Sequence, residues 1–188
     1  GLGRHKRIAL YDTLIARHQI DELVGILAHE VGHWRLGHIR TGLILQVLIN
    51  GLLFALLGRV ITAEPILTAL GLHSQSIGNH FPYYAGLCAA GLLFAPLTFL
   101  LSLGVNGLSR RHEYAADVFA LRTTGNAHAL ITALKQLSVD NLADLDPHPW
   151  RVLSDYSHPP MLARIRALAR LIPAERMCRG SPGVPVKP

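Results

Sequence analysis

Half of the 188 residues are hydrophobic and only 16% carry a charge, against roughly 25% in a soluble domain, and the mean hydropathy is positive. That composition excludes an ordinary soluble domain and points to a membrane protein with room for one domain plus membrane helices. The formal charge of +6 comes mostly from arginines clustered outside the apolar runs. There is no aromatic–basic interleaving, so a nucleic-acid surface is excluded, and basic flanks of membrane helices account for the charge. Cys88 and Cys178 lie far apart, in an apolar run and a tail, and suggest neither a disulfide framework nor a thiolate metal site.

The sequence starts at Gly1, just before a strand-like stretch, and is expected to be the C-terminal part of a longer chain. From Arg7 to Leu14, Ile8, Leu10 and Asp12 alternate with Ala9, Tyr11 and Thr13, which predicts a short strand at a sheet edge. Asp21 is placed to cap a helix that runs to about His38 or Arg40. That helix carries His29-Glu30-Val31-Gly32-His33, the His-Glu-x-x-His pattern of helical zinc hydrolases. Residues four apart sit one turn above each other, so His29 and His33 can bind one metal together. Glu30 projects to a different side, where it can take a proton from a metal-activated water. The bland alternative is a half-exposed helix with two surface histidines, and a third ligand decides between them. One extension of the motif needs Gly three and His six residues after the second ligand. Leu36 and Ile39 stand there, so His38 misses the spacing by one and reads as a helix-end or supporting residue. A glutamate from another helix then completes a His₂Glu set.

Gly42 to Ile61 is apolar except for Gln46, Asn50 and Arg59, and Tyr84 to Val105 carries no charge. About 20 such residues span a bilayer core, which predicts transmembrane helices over 42–61 and 84–105 rather than a buried soluble pair. The linker 62–83 holds Glu64, His73 and His80 but no Lys or Arg. Arg35 and Arg40 precede the first span and Arg110 and Arg111 follow the second. The positive-inside bias puts both basic ends in the cytoplasm, and two crossings let residues near 33 and near 113 meet. Neither span contains His, Asp or Glu, which argues against a metal-transport site at mid-membrane.

Glu113 is the candidate third ligand. Asp117 lies four residues on, on the same face, where it can accept the outer N–H of a ligating histidine. His112, the rival ligand, points about 100° away from Glu113. This helix should stop near Gly125, after which Asn126 caps another through about Val139. Residues 140–157 read as a long loop rich in Asp and Pro. Pro159 or Pro160 opens a last helix to about Ile172, with Leu162, Ile165, Leu168 and Ala169 on its apolar side, and the tail 173–188 reads as loose. No internal repeat is present.

Four segments resemble the Ste24-type, CAAX prenyl protease branch of the M48 membrane zinc metallopeptidases, in that family's order and over nearly the whole chain. They are Gly1-Leu2-Gly3 with Lys6 to Leu14; the block His29 to His38; Ser109-Arg110-Arg111-x-Glu113-Tyr114-x-Ala116-Asp117-x-x-Ala120; and Tyr156-Ser157-His158-Pro159-Pro160-x-x-x-Arg164. The resemblance implies a mainly α, gluzincin-like integral membrane protein with two transmembrane helices and a short edge strand, and one M48 domain over 1–188. It implies one zinc ion per chain on His29, His33 and Glu113, with Glu30 as general base. His158 and Arg164 are placed beside the metal, and Ile8, Ala9, Leu10, Tyr11 and Asp12 along an edge that pairs with extended peptide. The expected activity is that of a zinc endopeptidase at the cytoplasmic membrane face, with the lipid bilayer and a peptide or protein as partners. A prenylated CAAX end is one substrate reading. The predominance of Arg over Lys, with abundant Ala, Leu and Gly, suggests a bacterial inner membrane, where quality control of membrane or unfolded proteins is the other. An inactive, metal-binding scaffold is the non-catalytic alternative.

Overall fold

The computed structural model describes residues 10–61, 63–69, 71 and 83–171. These form eight α-helices: α1 (Asp12–Arg17), α2 (Ile20–Arg35), α3 (His38–Val60), α4 (Glu64–Ala69), α5 (Tyr83–Thr124), α6 (Ala127–Asp140), α7 (Pro149–Ser154) and α8 (Met161–Arg170). Among the described residues there is no strand. The expected edge strand over Arg7–Leu14 is overturned in its second half, because Asp12, Thr13 and Leu14 open α1. Asp12 sits in the first turn, where a carboxylate favours the helix N-terminus, and Leu14 and Ile15 donate to the Tyr11 carbonyl. Leu10 and Tyr11 precede that helix, while Ile8 and Ala9 lie outside the described residues. The tail 173–188 lies outside them too.

Helix α2 begins earlier and ends earlier than the pattern predicts. Gln19, not Asp21, is the N-cap, and Glu22 reaches back so that its Oε2 accepts the Gln19 N–H at 3.2 Å. The helix stops at Arg35 because Gly37 takes φ +75°, a left-handed conformation that glycine reaches without the Cβ penalty. The chain then restarts as α3 at His38, so His38 leaves the metal-motif helix altogether.

No residue of α3 is buried. Leu43, Val47, Leu48, Leu52 and Phe54 stand exposed on it, as do Leu92, Leu93, Phe99 and Leu100 on α5. A buried soluble core helix would hide such side chains. Two helices long and apolar enough to cross a membrane, with their apolar surface outward, are the mark of a membrane protein. Helix α5 runs unbroken for 42 residues through Pro96, about 63 Å at 1.5 Å per residue. It is apolar over 84–105 and mixes charged with apolar residues beyond, and it ends at Thr124 before Gly125.

Beyond the apolar segments the helices pack around the metal-motif helix. Ala28, Ala120, Leu130, Leu134 and Leu168 form the buried core, bringing α2, α5, α6 and α8 together. Asn126 caps α6 as expected, its Oδ1 accepting the Ala129 N–H at 3.0 Å. Within the expected loop 140–157 the chain makes one more helix, α7, started by Pro149 with the His148 ring accepting the Trp150 N–H.

Candidate metal centre

The site is built where α2 crosses α5. Gly32 makes the crossing close: a Cβ there would lie 3.0 Å from Phe119 Cδ1 and 3.3 Å from the Ala116 Cα. This approach sets His29 and His33 against Glu113. His29 Nε2 and His33 Nε2 are 3.1 Å apart, Glu113 Oε2 is 3.4 Å from His29 Nε2, and Glu113 Oε1 is 3.3 Å from His33 Nε2. Metal–ligand bonds of 2.0–2.1 Å in a tetrahedral arrangement separate the donor atoms by roughly 3.3 Å. The two contacts to Glu113 run through different oxygens, and with one donor atom from each residue the three lie within 4.8 Å of one another, a group that could hold one ion.

The surrounding groups fix which atoms face inward. Asp117 Oδ1 lies 2.9 Å from His29 Nδ1, leaving Nε2 toward His33 and Glu113. Glu113 and Asp117 are 4% and 2% exposed, so their charges need partners. Arg164, itself 6% exposed, supplies one. Its Nε and one terminal nitrogen donate to the two Asp117 oxygens at 2.8 and 2.6 Å, and the other terminal nitrogen pairs with Glu113 Oε2 at 3.2 Å. Two buried carboxylates against one guanidinium leave one negative charge over, which a proton on His29 or a cation between the histidines would neutralise. The donor set and the charge both suit a zinc ion.

Burial alone would push the Glu113 carboxyl up, but hydrogen bonds with His158, His29 and His33 hold it well below the usual carboxylate range. Burial likewise opposes charge on His29, yet its bonds to Asp117 and Glu113 raise it to about 9. Asp117, against its own burial, is held down by Arg164 and His29.

His158 stands at the entrance to α8, with Nδ1 3.1 Å from Glu113 Oε1. A cleft of about 380 Å³ opens over the cluster, lined by Glu30, His158 and Arg164 together with the three candidate ligands and an apolar wall from α6 that includes Leu134 and Leu137. The fold thus gathers His29, Glu30, His33, Glu113, Asp117, His158 and Arg164 in one place. Leu10, Tyr11 and Asp12 do not line this cleft. Sequence reasoning gave His38 a supporting or helix-end place but missed the array it forms with His33 and His112. His38 Nδ1 lies 3.2 Å from His33 Nδ1, and the His38 ring stacks on His112 at 4.0 Å between centroids. The signal was present in the unused histidines at 38 and 112, but only the break at Gly37 turns them toward each other.

Helical layers, an outward apolar hairpin and a His₂Glu cluster over a cleft define a membrane protein of the helical metallopeptidase class. The family model described as Peptidase family M48 matches residues 1–172, and the chain belongs to that family. The chain is 36% identical over 169 residues to "CAAX prenyl protease 1 homolog" of Oryza sativa subsp. japonica, covering 89% of this chain and 38% of that protein. It is 31% identical over 172 residues to "CAAX prenyl protease 1" of Saccharomyces cerevisiae (strain ATCC 204508 / S288c), covering 87% and 38%. It is also similar to the crystal structure of S. mikatae Ste24p, at 30% identity and a TM-score of 0.72 over 85% of this chain and 39% of that one. The chain therefore spans less than half the length of these relatives.

Proposed function

We propose that this chain carries the catalytic centre of a membrane zinc endopeptidase, with one zinc ion held by His29, His33 and Glu113. The observation that carries the reading is that His29 Nε2 and His33 Nε2, 3.1 Å apart, both face the buried Glu113 carboxylate, at 3.4 and 3.3 Å through its two oxygens, a His₂Glu group compact enough to hold one ion. Zinc bound there supplies Lewis acidity, polarising the scissile carbonyl and making water a nucleophile near neutral pH. Glu30, next to the first ligand and on the cleft wall, takes the proton of the attacking water and passes it to the leaving amine. His158 donates a ring N–H toward the negative charge developing on the scissile oxygen. Arg164 holds the Asp117 and Glu113 carboxylates in place, and through Asp117 it fixes the His29 ring.

The basic residues flanking the apolar helices support a cleft on the cytoplasmic face, and the arginine-rich composition favours a bacterial inner membrane. The relatives' names carry a CAAX prenyl protease activity, which makes prenylated C-terminal peptides one substrate class to test, beside unprenylated membrane or unfolded proteins. The deciding experiment compares the protein with its Glu30→Gln variant, purified in detergent, by metal analysis and by mass spectrometry of a peptide-library digest that includes farnesylated CAAX peptides. Glu30→Gln should keep one zinc per chain and lose hydrolysis, because ligands fix affinity while the base acts only on water. Substantial hydrolysis by Glu30→Gln would sink the role given to this residue.

A further inference from the structure

His158 has a placement problem. Its side chain is 66% exposed and its bond to Glu113 is a single contact at 3.1 Å, so packing does not hold it. Its backbone must. Pro159 and Pro160 stiffen the chain on one side. On the other side the chain is pinned by two residues of α5 that have no part in the metal cluster. One Arg110 nitrogen donates to the Val152 carbonyl at 2.9 Å and to the Tyr156 carbonyl at 2.6 Å. Asn106, one turn earlier, donates its side-chain N–H to the Ser154 carbonyl at 2.8 Å. These acceptors belong to the end of α7 and the turn after it, where helical carbonyls lack partners in their own helix. Tyr156 is only two residues from His158. Arg110 is three residues before Glu113 on the same helix, so one rigid element carries both the third ligand and the clamp.

We propose that Arg110 and Asn106 are positioning residues for His158, coupling its location to the helix that supplies Glu113. The inference rests on the role given to His158 above. It is tested with the full chain in detergent, zinc loaded, on the peptide best cleaved in the library digest, by measuring zinc content, thermal stability, kcat and KM for single and double variants. His158→Ala should lower kcat by roughly 10²–10³-fold with zinc and KM nearly unchanged. Arg110→Met should lower kcat by about 10–100-fold, the scale of a small misplacement of a reacting group, again with full zinc occupancy. Arg110→Lys should recover most of the loss, because both bonds come from a single nitrogen that an ammonium replaces. In the His158→Ala background Arg110→Met should cost little more, since the residue it positions is gone. Full multiplication of the two losses, or wild-type kcat in Arg110→Met, overturns the clamp while leaving His158 its role. Wild-type kcat in His158→Ala removes the role itself, and the clamp's purpose with it. Should Arg110→Met not fold, Asn106→Ala removes one of the three bonds and must show a smaller kcat loss that also vanishes without His158.

Discussion

At the scale of single residues the centre is a set of charges that must balance in a buried place. Arg164 answers Asp117 in full and Glu113 in part, and on the proposed reading a divalent cation on His29, His33 and Glu113 would take up what remains. Glu113→Ala should therefore lose zinc as well as activity. Asp117→Ala should weaken zinc binding by about 10–100-fold, because it frees the outer face of a ligand. Metal analysis after dialysis against a chelator checks both, and full zinc in Glu113→Ala would move the third ligand elsewhere. Protons compete for the same site. His29 in the metal-free protein is raised from 6.5 to about 9, so its charged form is the one the fold favours. The stability this contributes to the metal-free protein is complete below about 6.5 and lost as pH rises through about 9. Zinc needs the neutral ring, so the sign reverses for the metal. Apparent zinc affinity should rise about tenfold per pH unit toward pH 9 and then level off, one proton leaving per ion bound. Chelator-competition titrations at several pH values measure that slope, and a flat profile would contradict it.

At the scale of elements the decisive feature is the crossing of α2 and α5. Gly32→Ala sets two effects against each other. Alanine in a helix is worth about 0.8–1.0 kcal/mol over glycine, while overpacking a close contact costs typically about 1–3 kcal/mol. Phe119 Cδ1 at 3.0 Å can swing aside, but the Ala116 Cα at 3.3 Å belongs to the α5 backbone. Overpacking wins. Gly32→Ala should lower the melting temperature and zinc affinity together, since separating the helices pulls His29 and His33 from Glu113. Adding Phe119→Leu should restore little of either, because the ring yields by itself while the Ala116 Cα and the Cβ at position 119 stay in place. Calorimetry and zinc titration on the three proteins read this out; a more stable Gly32→Ala with unchanged zinc affinity would show the crossing to be looser than described.

At the scale of the whole molecule, α3 and the apolar part of α5 form an outward-facing hairpin whose basic ends lie together. With Cys88 and Cys178 replaced, a cysteine at Thr68 should react with an impermeant maleimide from the opposite side of the membrane to one at Thr123. Both positions are exposed. Reaction of both from one side would refute the two crossings.

The sequence by itself determined what depends on short spacing. His29, Glu30 and His33 follow from one helical turn, and Asp117 follows from Glu113 by the same rule. The apolar runs are long enough that their helices need no tertiary context, and the capping chemistry of Asn126 is local. Local pattern failed where two conformations were nearly equal in cost. Six alternating residues, Ile8 to Thr13, read as a strand, yet from Asp12 on, with the Tyr11 carbonyl as first acceptor, the chain is helical. A glycine at 37 takes either backbone hand, and its choice moved His38 from α2 to α3 beside His112. Tertiary structure alone decided that Arg164 lies buried between two carboxylates and that Arg110 reaches Val152 and Tyr156, 42 and 46 residues away. Sequence periodicity tells which face of a helix is apolar. Which charge will be buried against which depends on how closely helices approach, and here a missing side chain at Gly32 sets that distance.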